Sequence, residues 1–214
     1  MDAAGWDARY TRSELVRDTP PDAVVTEHAT TLHRSLSQAH TGEPPRALDL
    51  GCGEGRNTLW LATHGWLVTA VDFSQAGIDK GRTLAARLSR AARGRIDWHC
   101  ADVTEPGALS DRRFDLILLT DLALSPSQRR TVLLYATELL NPDGILLVLA
   151  HDDAAGHDPG ILFTPEDILR DLAPVAGRLR VQVAERISHG QNEGEGTLVL
   201  MTRIAPGEHG TIAL

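Results

Sequence analysis

The chain has 214 residues and a formal net charge of −8, and 42% of its residues are hydrophobic. This length suits one α/β domain with a full core, so we expect a single domain over residues 1–204 and a mobile tail at 205–214. The negative charge and an aromatic content of 4% disfavour binding to phosphate backbones. Nucleic acid is therefore not an expected partner.

The sequence shows neither a membrane span nor a targeting segment. No apolar stretch approaches the ~18 residues that cross a bilayer, and the first residues lack the basic and apolar regions of a signal peptide. The two cysteines, Cys52 and Cys100, indicate neither a disulfide framework nor a cysteine metal site. We expect a cytoplasmic protein with no membrane partner, either a monomer or a homodimer.

The hydrophobic pattern predicts a helical segment over residues 1–40. A short helix is expected at 6–15, and an amphipathic helix begins at Asp22 and places Val25, Ala29 and Leu32 on one face. The Gly-Glu-Pro-Pro sequence at 42–45 ends this segment.

Strands and helices then alternate in a core over residues 46–150, followed by a helix and a β-hairpin over 160–204. The predicted strands are 46–50, 67–71, 95–100, 114–119, 145–150, 179–187 and 197–203, and the predicted helices include one ending at His64, one at 75–91, one capped by Ser125 and one capped by Thr164. Because a short loop joins the last two strands, they must pair antiparallel. The order predicts an α/β fold with a doubly wound, Rossmann-like, mostly parallel seven-stranded sheet that contains one antiparallel strand.

A glycine-rich turn follows the first strand. Residues 49–57 read Asp-Leu-Gly-Cys-Gly-Glu-Gly-Arg-Asn. Glycine lets the backbone approach a ligand closely, and the helix that follows presents unpaired N–H groups. A dinucleotide fingerprint would need its third glycine at position 56, which is Arg56. The spacing therefore disfavours a dinucleotide.

Acidic residues follow the next two strands. The β-branched run at 67–71 ends in Asp72, and the strand at 95–100 is followed by Asp102. A carboxylate at the position of Asp72 can accept hydrogen bonds from both hydroxyls of a ribose. The pattern therefore indicates a cofactor that contains a nucleoside.

The Asp-x-Gly-x-Gly-x-Gly pattern at 49–55 resembles motif I of the class I S-adenosylmethionine (SAM) methyltransferases. The sequence Trp-Asp-Ala-Arg-Tyr at 6–10 is similar to the opening of small bacterial methyltransferases related to the tellurite-resistance and thiopurine-type enzymes, and 140–144 resembles the loop before their fifth strand. The resemblance implies the class I methyltransferase fold, SAM as cofactor with S-adenosylhomocysteine as product, and an N-terminal segment that closes over cofactor and substrate.

The resemblance also implies which residues form the cofactor site, with Asp102 meeting the adenine amino group. These residues lie at the ends of the first four strands: Asp49, Gly51, Cys52, Gly53, Gly55, Asn57, Asp72, Phe73, Ser74, Ala101, Asp102, Val103 and Thr120. Trp6 and Tyr10 are candidates for lid aromatics at the substrate, or else pack the first helix on the core.

Candidate catalytic residues are few. Asp121 follows the fourth strand, where the transferred methyl group is expected, and either steers an amine or takes a proton, or is a solvated residue before a helix. His151, after the fifth strand, is a candidate base. Related enzymes often carry an aromatic residue or a histidine after the fourth strand, whereas 120–124 has neither.

The histidines and aspartates at 151–158 do not form a recognisable ligand set, so no metal site is expected. The motifs used to methylate nucleobases are absent after the fourth strand. We therefore expect a methyltransferase acting on a small molecule, with an O, N, S or heavier chalcogen acceptor. The alternatives are a SAM-binding sensor without turnover, an aminopropyl transferase with Asp121 as base, and an NAD-linked oxidoreductase.

Overall fold

The structure is a computed structural model that describes residues 2–12, 20–39, 42–105, 109, 111–151, 162–188 and 195–205. Contacts within the chain group into two units, residues 1–103 and residues 104–214. The sheet has seven strands, drawn from both units. None of the helices in the described residues is long and apolar enough to cross a membrane.

The first unit contains two N-terminal helices and three parallel strands with their connecting helices. Its elements are α1 (Ala3–Arg12), α2 (Ala23–Ala39), β1 (Arg46–Leu50), α3 (Arg56–Thr63), β2 (Leu67–Asp72), α4 (Gln75–Ala85), α5 (Arg90–Arg93) and β3 (Ile96–Cys100). The strand order is β3-β2-β1, with both pairs parallel. Because parallel strands share a direction, the chain leaves all three strands at one edge of this part of the sheet.

The second unit contains the remaining four strands. Its elements are β4 (Phe114–Thr120), α6 (Pro126–Leu139), β5 (Leu140–His151), α7 (Pro165–Leu172), a 3₁₀ helix (Ala173–Arg178), β6 (Leu179–Ser188) and β7 (Glu195–Arg203). β5 pairs parallel with β4, whereas β7 runs antiparallel to both β5 and β6. The predicted seven-stranded, mostly parallel sheet with one reversed strand is thus confirmed.

Two predicted boundaries are wrong. The helix expected over 75–91 ends at Ala85, because Ser89 caps a separate helix by accepting a hydrogen bond from Ala92 N–H. β5 begins at Leu140 rather than at 145. The expected turn at 141–144 lies within the strand, because the pairing of β5 with β4 shifts its register between Phe114 and Leu116. The helix expected over 6–15 is described from Ala3 to Arg12.

The predicted caps of the later helices are present. Ser125 accepts a hydrogen bond from Gln128 N–H and completes a capping box at the start of α6. Thr164 and Asp167 form the same arrangement at the start of α7.

The prediction of one domain over 1–204 stays a prediction, and the tail from residue 206 lies outside the described residues.

Candidate functional site

The glycine turn of the first unit is tied to the end of β2. The N–H groups of Gly51 and Cys52 both donate to the carbonyl of Val71, over 2.8 and 3.0 Å. Gly51 and Gly53 have φ angles of 74° and 53°, which residues with a Cβ rarely adopt. The sequence therefore folds into a backbone loop that β2 holds at the edge of the sheet.

Asp72 at the end of β2 completes this attachment. Its Oδ2 accepts the N–H of Gly53 over 2.8 Å, and its Oδ1 accepts the N–H of Ser74 over 2.8 Å. Burial raises the pKa of Asp72, and the hydrogen bonds from Ser74 and Gly53 oppose that effect. A carboxylate oxygen has about two acceptor positions, so each oxygen keeps capacity for one hydroxyl of a ribose.

Asp49 lies near the end of β1 and is 1% exposed. Its Oδ2 accepts the hydroxyl of Thr58 over 2.6 Å, whereas its Oδ1 is buried without a hydrogen-bond partner among the described residues. Burial raises the pKa of Asp49 to about 6, although the Thr58 hydroxyl opposes the shift. A buried acceptor without a partner is destabilising by about 1–3 kcal/mol, so this oxygen fits a ligand that brings a donor or a positive charge.

Tyr10 of α1 packs against the glycine turn. A Cβ built on Gly53 would lie 2.5 Å from the Tyr10 hydroxyl oxygen, and one built on Gly77 would lie 3.1 Å from Cε2 of the same ring. Trp6 stacks on Tyr10 with the ring centroids 5.5 Å apart. The two aromatic residues predicted as a lid therefore lie together, with Tyr10 against the glycine turn.

Asp7 fastens α1 to the start of α4. Its Oδ1 accepts the Ser74 hydroxyl over 2.5 Å and the Ala76 N–H over 3.1 Å. These two hydrogen bonds, the one from Ser74 first, hold the pKa of Asp7 below its ordinary value of 3.8. The carboxylate is thus charged at the N-terminus of a helix, where the unpaired N–H groups favour a negative charge.

Two further contacts lie beside the loop. The indole of Trp98 on β3 fills the space beside Gly55 and Gly81, where a built Cβ would lie 2.6 and 2.5 Å from its ring. The buried Glu54 carboxylate pairs with Lys80 of α4 over 3.1 Å. Gly55 was predicted to bind the cofactor, whereas sequence reasoning assigned no role to Trp98, Glu54 or Lys80. Two glycines four positions apart inside α4 are nevertheless a signal of close packing.

The remaining predicted cofactor residues of the first unit follow the same strand ends. Asn57 is buried in the first turn of α3, and Phe73 is half-buried beside Ser74. Ala101 N–H donates to the carbonyl of Asp72 over 2.9 Å, which joins the end of β3 to that of β2. Asp102 is exposed and Val103 is buried. The adenine contact of Asp102 stays a prediction.

The second unit carries the other candidates. Thr120 is buried at the end of β4, and Asp121 directly follows it with a φ of 53° and donates its N–H to the Leu149 carbonyl over 2.8 Å. His151 ends β5, and the segment beyond it, at 152–161, lies outside the described residues. The described residues contain no group of His, Cys, Asp and Glu that could hold a metal ion.

Comparison with known proteins agrees with this geometry. Residues 47–144 match the methyltransferase domain family. Ribosomal RNA small subunit methyltransferase C of Alcanivorax borkumensis is 29% identical over 151 residues, which cover 61% of this chain and 42% of that protein. The chain spans about half the length of the first curated relatives that it matches, between 42% and 55%.

Solved structures share the fold at lower identity. The N-methyltransferase NodS of Bradyrhizobium japonicum, in complex with S-adenosylhomocysteine, is 22% identical with a TM-score of 0.63, over 94% of this chain and 99% of that one. The [4+2]-cyclase SpnF is 17% identical with a TM-score of 0.59, over 84% and 83% of the two chains. Residues 47–144 are therefore similar to a methyltransferase domain, and the chain shares its fold with these solved structures.

Proposed function

We propose that the protein transfers a methyl group from SAM to a small-molecule acceptor. The observation that carries the proposal is the Asp72 carboxylate, which is fixed by two backbone N–H groups and keeps acceptor capacity beside the glycine turn. A carboxylate held in this way suits a ribose diol, because both of its oxygens are already oriented by the backbone.

The residues around Asp72 fit the other parts of the cofactor. The unpartnered Oδ1 of Asp49 suits the cofactor's ammonium group, which would supply the missing donor. Tyr10, which lies against the glycine turn, and Trp6, which stacks on it, would exclude water from this side. Asp102 is assigned to the adenine amino group, and Thr120 to the rim beyond β4.

Bound SAM supplies a methyl group on a sulfonium, which an acceptor displaces in line. For such a reaction the protein needs mainly to position the acceptor and exclude water. Asp121 is then a positioning group for the acceptor, and His151 is the remaining candidate for a base. The net charge of −8 disfavours a polyanionic acceptor, which supports a small molecule with an O, N, S or chalcogen nucleophile.

We also propose that the protein is related to the tellurite-resistance and thiopurine-type methyltransferases. Its support is the sequence at 6–10, in which Asp7 and Tyr10 make the contacts that dock α1 and Trp6 stacks on Tyr10.

The main competing function is a SAM-binding sensor without turnover, because 120–124 lacks the aromatic residue or histidine found in many relatives. Fold alone does not decide, since the similar SpnF is a cyclase. The test is release of S-adenosylhomocysteine over a panel of small amines, hydroxyls, thiols and chalcogenides, after mass spectrometry of ligands retained on purification. Release that depends on one acceptor class supports the proposal. Retained SAM without release on any acceptor would favour a sensor, and retained NAD an oxidoreductase.

A further inference from the structure

Helix α1 is held in place by two side chains. Tyr10 is the one residue of α1 that is buried, and Asp7 makes the two hydrogen bonds to the start of α4. The helix has 10 residues, and isolated helices shorter than about 12–15 residues are marginal in water. α1 therefore depends on these contacts both for its position and for its helical form.

Both contacts end on the residues that orient Asp72. Asp7 bonds to the hydroxyl of Ser74, and Tyr10 lies against Gly53. Ser74 and Gly53 are the two residues whose N–H groups hold the two oxygens of the Asp72 carboxylate. The two residues that α1 contacts, Ser74 and Gly53, are thus each hydrogen-bonded to Asp72, the residue proposed to hold the ribose.

Ser74 is the centre of this network. It is fully buried, donates its N–H to Asp72 and its hydroxyl to Asp7, and accepts the N–H of Gly77. A hydroxyl has one donor, and here that donor is committed to Asp7. If α1 moves away, the Ser74 hydroxyl must find another acceptor. The first turn of α4 then also loses the negative charge of the Asp7 carboxylate at its N-terminus.

We propose that Asp7 is the latch of a closing N-terminal helix, and that Ser74 and Gly53 couple closure of this helix to the orientation of Asp72. This inference rests on the proposed SAM site. Asp7 does not touch the reacting atoms in this scheme and is a positioning residue.

The coupling works in both directions. A ligand that binds more tightly when α1 is docked must also favour docking by the same factor. SAM or S-adenosylhomocysteine on Asp72 would therefore hold α1 closed, and the latch would slow the escape of the bound cofactor. The repulsion between the two carboxylates acts against closure, because the charge of Asp7 raises the pKa of Asp72.

The first test measures docking of α1 without any cofactor, by hydrogen exchange of its backbone amides with mass spectrometry. Removing one charge-assisted hydrogen bond changes an equilibrium constant by about 10- to 150-fold. Undocking of α1 should therefore be easier in Asp7→Ala, and its backbone amides should exchange at least about 10-fold faster than in wild type. Asp7→Asn keeps an acceptor and should lie between Asp7→Ala and wild type. Asp79→Ala is the matched control, because the Asp79 carboxylate accepts hydrogen bonds from Gln75 and Arg82 of its own helix in the described contacts and from no residue of α1. Equal exchange in Asp7→Ala and wild type would overturn the latch.

The second test measures coupling, by stopped-flow dissociation of S-adenosylhomocysteine. Asp7→Ala should raise the dissociation rate at least about 10-fold, in line with the loss of one charge-assisted bond. Ser74→Ala should have a similar effect, and the double variant little more than either single one, because both remove the same bond. Asp7→Asn leaves the Ser74 cap of α4 intact and keeps the test valid if Ser74→Ala unfolds. An unchanged rate in Asp7→Ala would overturn the coupling while leaving the SAM site standing.

The two tests separate the two proposals. If wild-type protein does not bind S-adenosylhomocysteine, the proposed function and the coupling both fail, and hydrogen exchange alone then decides whether Asp7 docks α1.

Discussion

The backbone N–H of Gly53 donates a hydrogen bond to Oδ2 of Asp72 over 2.8 Å. The glycine turn after β1 and the acid that ends β2 are therefore one structural unit, rather than two groups that meet only on a ligand. A substitution at Asp72 will alter the turn as well as the proposed ribose contact, so binding and stability must be measured together for every variant at this site.

Asp49→Asn should stabilise the protein without ligand at neutral pH. Burial raises the pKa of Asp49 from 3.8 to about 6, so the folded state binds more protons than the unfolded state between these values. The free energy of unfolding then falls as pH rises through this window, by up to about 3 kcal/mol. Urea denaturation at pH 4.5 and 7.5 should show this loss in wild type and a smaller one in Asp49→Asn. An equal loss in both would contradict the assignment.

The same substitution should weaken SAM binding. In the proposed site, ionised Asp49 is the form that would attract the ammonium group, so SAM affinity in wild type should fall as pH drops from 7.5 to 5. Calorimetry across this range is the measurement, and Asp49→Asn should show a weaker affinity with little pH dependence. Tighter binding of SAM by the variant at pH 7.5 would show that Oδ1 does not face the cofactor.

Asp121 should tolerate Asn but not Val. Its φ of 53° lies in the left-handed region, which Asn adopts readily and a β-branched residue does not. Asp121→Val should lose about 1–3 kcal/mol of stability, whereas Asp121→Asn should melt like wild type. With an acceptor in hand, Asp121→Asn should lower kcat/KM by less than about 10²-fold if the residue only positions the acceptor. A larger loss, with intact SAM binding, would make Asp121 a general base.

Lys80→Met should destabilise the fold through Glu54. The Lys80 ammonium lies 3.1 Å from the Glu54 carboxylate, whose side chain is 6% exposed. Losing a charged partner of a buried group removes about 1–3 kcal/mol. In a double-mutant cycle, Glu54→Gln combined with Lys80→Met should recover part of that loss, as read from thermal melts. Strictly additive losses would show that the pair contributes no interaction energy.

Activity on any acceptor should survive chelation. The described residues offer no cluster of metal-binding side chains, and methyl transfer by displacement needs none. A rate assay with and without EDTA is the measurement. Loss of activity on chelation with recovery on added Mg²⁺ would instead make Asp152 and Asp153 candidate ligands.

The sheet was predictable because its signals are local. The buried run at 114–119 and the capping pattern at Ser125 each specify an element without reference to the rest of the chain. The split after Ala85 was not predictable in the same way, because a serine cap inside a helical pattern competes only weakly with continued helix.

The part of the candidate site at the strand ends was predictable from the sequence, whereas the contacts made by helix α1 were not. Asp49, Gly53 and Asp72 follow from spacing, since parallel strands end at one edge. The bond from Asp7 to Ser74 joins positions 67 residues apart, and nothing in the sequence between them specifies it. The packing of Tyr10 beside Gly53 likewise joins distant positions of the chain, and no local signal in the sequence specifies it.

Titration calorimetry of the protein with SAM, and in parallel with NAD, tests the central claim most directly. SAM should bind at micromolar affinity and NAD should not bind. Asp72→Ala should weaken SAM binding about 10- to 150-fold for each charge-assisted hydrogen bond lost, while Asp79→Ala, an exposed acid on the neighbouring helix, should bind as wild type does. Unchanged SAM affinity in a folded Asp72→Ala variant, or tight binding of NAD by wild type, would contradict the assignment of this site.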